Sequence, residues 1–197
     1  MSRLKPLPPE TTPELKAHFD FFLGTLGFTP NSVLTMQRKP HLVKAFAQLN
    51  AAVMAPDGEV ELGFRRLVGH LASKASGCLY CQAHTLLGAK NFGVSEEKLA
   101  AVWTYASSDL YSPAEKIALD FALAAASQPN AVTDSMFAEL SAHWSEGQIV
   151  EILGVVAMFA FLNRWNDTLG TPLETPAAQV AQKAIGDQGW SAGKHAG

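Results

Sequence analysis

Apolar residues recur along the chain every three or four positions, the period of an α-helix, and no stretch of useful length alternates strictly between apolar and polar. Leu15, Phe19, Phe22, Leu23 and Leu26 fall on one face of a segment that Thr12 can cap, with Pro13 at its first position and Gly27 at its end. A second segment opens after Thr29-Pro30-Asn31. Pro40 starts a third, whose stripe of Leu42, Val43, Phe46, Leu49 and Val53 stops at Pro56-Asp57-Gly58. Within residues 59–76, Leu62, Leu67, Val68, Leu71 and Ala75 are again helically spaced, and Gly77 is placed to break the helix. The next helix ends near Asn91-Phe92-Gly93. Ser95 caps a run predicted to continue through Trp103 and Tyr105, and Ser112-Pro113-Ala114-Glu115 is a capping box leading into Ile117, Phe121 and Ala124. Thr133 begins a helix through Leu140, and Ser145 caps the last long one, apolar on most sides from Ile149 to Trp165. The pattern predicts an all-α fold. Residues 1–10 read as an N-terminal extension and 11–170 as one helical domain. Residues 171–197, where composition turns to Ala, Gln and Gly, read as a short helix and a loose tail.

Composition narrows the function classes. A chain of 197 residues suits one well-buried core. A net charge of -3 offers no basic face to a nucleic-acid backbone, so no nucleic-acid partner is expected. Residues 1–10 lack the apolar run of a secretory signal, and the longest apolar run, Ile152 to Leu162, falls short of the ~18 residues a membrane span needs. A cytoplasmic protein with no membrane partner is the expectation.

The chemistry concentrates in Gly77-Cys78-Leu79-Tyr80-Cys81-Gln82-Ala83-His84-Thr85, which contains both cysteines of the chain. Gly77 allows a sharp turn that places Cys78 at a helix N-terminus, where free amides and the helix dipole favour a thiolate. Cys81 and His84 are three apart and share a helix face, so the imidazole can take a proton from Cys81 directly or through water. The first argument names Cys78 as the reactive sulfur and the second names Cys81. We take Cys81 as the attacking sulfur and Cys78 as its resolving partner. A zinc site built from these cysteines with His70 and His84 would pack three ligands into one helical turn, and no second cysteine pair exists, so no metal is expected. A purely structural pair remains the plain alternative. With no glycine-rich phosphate loop or dinucleotide fingerprint, no cofactor is expected and electrons must come from an external thiol or protein reductant.

The dithiol segment, preceded by an amphipathic helix and followed by Gly93-Val94-Ser95-Glu96-Glu97-Lys98-Leu99, resembles the carboxymuconolactone decarboxylase superfamily, and within it the alkylhydroperoxidase D branch and its peroxidase-related relatives. Phe28-Thr29-Pro30-Asn31-Ser32, the stretch from Ser145 to Ile152 and that from Phe161 to Asp167 add to the likeness. The resemblance implies an AhpD-like helical bundle that assembles as a homo-oligomer and reduces a small hydroperoxide substrate while its cysteine pair cycles through a disulfide. It also implies a proton relay of a glutamate on the preceding helix, the second cysteine and a histidine, which Cys78, Cys81 and His84 match.

Two positions depart from that pattern. Arg66 stands where the resemblance puts the glutamate, twelve residues before Cys78, and a guanidinium cannot act as a general base. His70, one turn further along the same helix, is the candidate to take over its proton handling, with a core histidine as the plain reading. His84 follows Cys81 by three residues where the family histidine often follows by four. Tyr80, between the cysteines, can hydrogen-bond a peroxide or simply pack. The candidate catalytic set is therefore Cys78, Cys81, His84, Tyr80 and His70. Glu151, in an apolar helix, could be paired at a subunit interface or replace the missing carboxylate. Asn163, Arg164, Asn166 and Asp167 could line a pocket, though helix-end solvation with Arg164 paired to Asp167 is the simpler account.

The expected function is thus a thiol-dependent hydroperoxide reductase. The alternatives are a decarboxylase-type enzyme of aromatic degradation and a non-catalytic thiol redox sensor.

Overall fold

The computed structural model describes residues 2–196. Among them are ten α-helices and no strand: α1 (Lys16–Leu26), α2 (Asn31–Met36), α3 (Pro40–Val53), α4 (Leu62–Ala75), α5 (Leu79–Asn91), α6 (Glu96–Ala100), α7 (Pro113–Ala126), α8 (Asp134–His143), α9 (Glu146–Leu169) and α10 (Thr175–Ile185). The caps lie where the polar residues suggested. Ser112 and Ser145 each close a reciprocal capping box, with Glu115 and Gln148, and Ser95 and Thr133 accept the amides of Lys98 and Met136.

Two starts and stops differ from the sequence pattern. Thr12 caps no α-helix; short 3-10 turns at Pro9–Thr11 and Pro13–Leu15 precede α1. The run after Ser95 ends at Ala100 instead of continuing through Tyr105, because side chains from elsewhere take the carbonyls an extended helix would use. Tyr111 donates to Lys98 O at 2.6 Å and Gln188 to Ala100 O at 2.7 Å.

Helix α4 lies at the centre of the bundle, packed against α5, α7 and α9. Leu67, Val68, Leu71 and Ala72 are fully buried on it. Burying each leucine contributes on the order of 2 kcal/mol. Gly69 faces the Phe159 ring of α9, and a Cβ there would stand 2.5 Å from the ring edge, so the glycine sets how closely the two helices approach. Helix α9 buries Ile152, Val155, Val156, Phe159 and Leu162 in the core and leaves Val150, Leu153 and Phe161 on the surface. By length and composition alone α9 would pass as a membrane-crossing helix; in the bundle one of its flanks is core.

Residues 171–196 form no loose tail. Helix α10 lays Ala177, Ala181 and Ile185 against the bundle beside α5, and the chain beyond it buries Trp190 and His195. His195 Nδ1 donates to Thr171 O at 2.8 Å, and Leu173 N donates to His195 O at 2.9 Å. Alanines that look featureless in sequence allow close helix contact, which explains the difference. At the other end, Leu7 N donates to Leu34 O at 3.2 Å and holds the first residues on α2.

Because Phe159 leaves no room at Gly69, Gly69→Ala should cost about 1–3 kcal/mol of unfolding free energy, measured by urea titration, despite alanine's better helix propensity. A neutral or stabilising effect would show that α4 and α9 can separate freely.

Candidate active site

Gly77, at φ +70°, makes the turn between α4 and α5, and Cys78 then caps α5 with its own sulfur: Cys78 Sγ accepts the Cys81 amide at 3.4 Å. Both cysteines are free thiols and both are buried. Cys81 Sγ accepts a hydrogen bond from Asn166 Nδ2 on α9 at 3.5 Å. The helix start was expected to favour a Cys78 thiolate, and His84 a Cys81 thiolate. In the structure burial dominates and pushes the Cys81 thiol well above its ordinary value; Cys78 adds to the rise, and the Asn166 amide opposes it. Cys81 is therefore held as a thiol until something removes its proton.

His84 lies one turn further along the same helix. His84 Nε2 sits 2.6 Å from Glu174 Oε2, at the start of α10. Glu174 Oε1 accepts from Tyr80 OH at 2.9 Å and from the Asn31 amide at 2.5 Å. Burial alone would raise the Glu174 carboxyl, but the His84 charge and hydrogen bond, with the Asn31 amide, outweigh it and hold the carboxyl below its ordinary range. An ionised carboxylate only accepts, so Nε2 of His84 donates its hydrogen to Glu174. Tyr80 is pushed well above its usual range by burial and by the Glu174 charge, and it remains a donor. Its ring stacks on the His84 ring at 4.3 Å between centroids, and Phe28 meets the other ring edge-on at 5.6 Å. These packings fix the imidazole.

Cys81, His84, Tyr80, Asn166, Asn50 and Arg66 line one cavity of about 50 Å³, otherwise walled mainly by apolar side chains of α1, α2, α3 and α9. At about 10–15 Å³ per water it holds a few waters or one small molecule. Cys78 lies behind Cys81, outside the lining.

His70 is not part of the cavity, and its expected role is corrected by its surroundings. Nδ1 donates to Gln82 O at 3.1 Å, and Nε2 accepts from Trp103 Nε1 at 3.0 Å, so the ring is neutral and has no nitrogen to spare. Burial brings its pKa down to about 4, against the Gln82 bond. Glu151 is likewise committed elsewhere: it accepts the amides of Glu59 and Val60, each at 2.9 Å, and fixes the loop before α4. Asp167 pairs with Lys194 at 2.8 Å rather than with Arg164. Among the described residues no group of three or more His, Cys, Asp or Glu is arranged to hold a metal ion.

Sequence reasoning missed Glu174. One signal was available: it stands directly before Thr175-Pro176, at the N-cap of α10, where Asp, Asn or Ser would cap and Glu caps poorly. Its carboxylate accepts no amide of α10 and is engaged by His84, Tyr80 and the Asn31 amide instead.

Fold and site together define an all-helical dithiol protein of the alkylhydroperoxidase type. The model of the carboxymuconolactone decarboxylase family matches residues 40–124. The structure superposes on that of the debrominase Bmp8 with a TM-score of 0.86 at 31% identity, covering 92% of this chain and 97% of that one. A cysteine-to-alanine variant of the same debrominase, solved in complex with 2,3,4-tribromopyrrole, gives a TM-score of 0.87 at 30% identity. A peroxidase-related protein from Ralstonia eutropha JMP134 with an alkylhydroperoxidase AhpD core gives 0.76 at 25% identity, covering 89% and 94%. The Escherichia coli (strain K12) protein YnjA is 27% identical over 110 residues, 56% of this chain and 60% of YnjA. The chain belongs to the carboxymuconolactone decarboxylase family, in its AhpD-like branch. Named members of this group are enzymes of differing chemistry, decarboxylase, debrominase and alkylhydroperoxidase among them.

The depressed His70 pKa sets a pH dependence of stability. The contribution is complete above the unfolded value near 6.5 and is lost as pH falls from there towards 4, about 3 kcal/mol in all. Urea unfolding between pH 6 and 4.5 should show a steeper loss in the wild type than in His70→Gln, by roughly 1.4 kcal/mol per pH unit. Parallel slopes would mean that His70 titrates as it does in the unfolded chain.

Proposed function

We propose that the protein is a thiol-dependent reductase that uses the Cys78/Cys81 pair to reduce a small hydroperoxide. The observation that carries this reading is the placement of the Cys81 sulfur in one small cavity with His84, whose second nitrogen is held by a buried carboxylate. The arrangement divides the work as a nucleophile, a base and an orienting acid do.

In the proposed cycle His84 Nδ1 takes the Cys81 proton as the thiolate attacks the terminal peroxide oxygen. The O–O bond breaks, Cys81 becomes a sulfenic acid, and the leaving alkoxide takes a proton from the imidazolium and departs as alcohol. Asn166, already donating to Cys81 Sγ, stabilises the developing thiolate. Cys78, one turn back, displaces water from the sulfenic acid and forms the disulfide. An external dithiol or protein reductant then restores both thiols and is itself oxidised to a disulfide. One hydroperoxide and one dithiol give alcohol, water and a disulfide. Tyr80 positions Glu174 and His84 throughout.

A second reading rests on the likeness to the debrominase. The same sulfur can attack bromine on an electron-rich ring: the C–Br bond breaks, the ring carbanion is protonated from His84, and Cys78 displaces bromide from the sulfenyl bromide to close the disulfide.

The test pairs both substrates with dithiothreitol. Peroxide consumption should be lost in Cys81→Ser. Cys78→Ser, assayed without dithiothreitol, should give one turnover that stops at sulfenic acid, and Glu174→Gln should slow the reaction about 100-fold. Bromide release from a bromopyrrole without peroxide turnover would select the second reading, and peroxide turnover surviving in Cys81→Ser would end the first.

A further inference from the structure

Arg66 is the charge in the cavity that the proposed cycle does not use. Its side chain is only 8% exposed, Nε is sealed with no partner, and the guanidinium makes no hydrogen bond or ion pair with any described residue. No Asp or Glu lines the cavity to balance it. The place is nevertheless built for it. The Arg66 stem lies across Gly88 of α5, where a Cβ would stand 2.9 Å from Cδ, and Cζ lies 5.7 Å from the Phe92 ring centroid. Burial, with Arg65 beside it, brings its pKa down to about 10, which leaves it a cation at neutral pH. A buried, unpaired guanidinium is costly unless a ligand pairs with it.

We propose that Arg66 is a binding site for a carboxylate on the substrate. Its planar fork matches a carboxylate in two parallel hydrogen bonds. Gly88 and Cys81 lie two turns apart on one face of α5, about 10 Å. The anionic group therefore binds at the Arg66 end of the cavity and the reducible bond reaches Cys81 at the other, so the substrate is a carboxylic acid bearing the reactive group away from its carboxylate, and the apolar walls between the two ends move apart to admit it. This deepens the reductase reading and shares its assumption that Cys81 is the reacting end.

The test has two arms. In the first, acetate is titrated at constant ionic strength into the Cys81→Ser protein, with and without Arg66→Met, and binding is read by calorimetry and thermal shift. Saturable binding in the Arg66 form and none in the Met form is expected; equal behaviour overturns the site. In the second arm, an ω-hydroperoxy carboxylate is compared with its methyl ester. The acid should show a KM about 10- to 100-fold lower than the ester, a preference that collapses towards unity in Arg66→Met and is partly kept in Arg66→Lys. Turnover of both without preference overturns the proposal and leaves the reductase reading intact. Acetate binding with no turnover of either substrate sinks the reductase reading and leaves the site. If Arg66→Met does not fold, the same loss is read in Gly88→Ala, whose added methyl displaces the stem.

A separate observation concerns the outer face of α9. Glu146, Val150, Leu153, Ala157, Ala160 and Arg164 are all exposed and recur at alternating spacings of four and three, within about 40° of one line along the helix. Val150 is 69% exposed, high for valine on a long helix. The stripe is complementary to its own reverse: a two-fold axis midway between Leu153 and Ala157 sets Glu146 opposite Arg164, Val150 opposite Ala160 and Leu153 opposite Ala157. Neither Glu146 nor Arg164 has a partner among the described residues. We infer that a second copy of this chain packs here, α9 antiparallel to α9, with the alanines allowing close approach and an ion pair at each end.

Sedimentation equilibrium should show a dimer. Leu153→Glu should raise the dissociation constant at least 100-fold. Glu146→Arg alone should raise it about 10-fold, and Glu146→Arg with Arg164→Glu should restore it. A monomer at all concentrations, a dimer indifferent to these changes, or binding of α9 to lipid vesicles in place of dimerisation would overturn the inference.

Discussion

One buried carboxylate ties the site to the fold. Glu174 takes three hydrogen bonds from two separate parts of the chain: His84 and Tyr80 of α5, and the amide that opens α2. Without it His84 would have no partner on Nε2, Tyr80 would bury a hydroxyl with one weak contact, and the first residue of α2 would lose an amide acceptor. Each loss leaves a buried polar group unpaired, at about 1–3 kcal/mol apiece. The C-terminal segment is thus held against α5 by the same atoms that orient the imidazole, and a change that frees α10 also frees His84.

The dryness of the site sets how its chemistry can run. Burial favours the Cys81 thiol over the thiolate, which shields the sulfur from oxidants that cannot enter the cavity; in the proposed cycle ionisation then depends on His84. Such a sulfur gains reactivity only when proton transfer and attack occur together, so the spacing of Cys81 and His84 by one helical turn matters more than any resting thiolate. Cys78, capped by the Cys81 amide and outside the cavity, suits the resolving step, which needs nearness to Cys81 and no access to substrate.

Much of this was legible in the sequence, and the limits have physical causes. Helix periodicity and the caps at Ser95, Ser112, Thr133 and Ser145 report on local energetics, which sequence displays directly, and the placement of Cys78, Tyr80, Cys81 and His84 follows from a single helix start. What sequence hid was long-range. Glu174 lies 90 positions from His84, in a segment whose alanines read as featureless. His70 had the right spacing for the cavity, but the side on which a helix buries a residue depends on partners such as Trp103, which no local pattern reveals. Tyr111 and Gln188 ended α6 early for the same reason: tertiary hydrogen bonds override propensity.

The departure at Arg66 and the arrival of Glu174 are best understood as one rearrangement of charge. Glu174 already occupies Nε2 of His84, so the imidazole needs no second carboxylate from position 66. With the carboxylate supplied from α10, the α4 position is released from relay duty. An arginine there reverses the sign of the far end of the cavity while the near end keeps its acid. The cavity then has a cation at one end, a sulfur at the other and apolar walls between them, a polarity that orders an anionic substrate end to end before any bond is broken. Selectivity in this chain would then arise from where the carboxylate was moved, with the dithiol chemistry left in place.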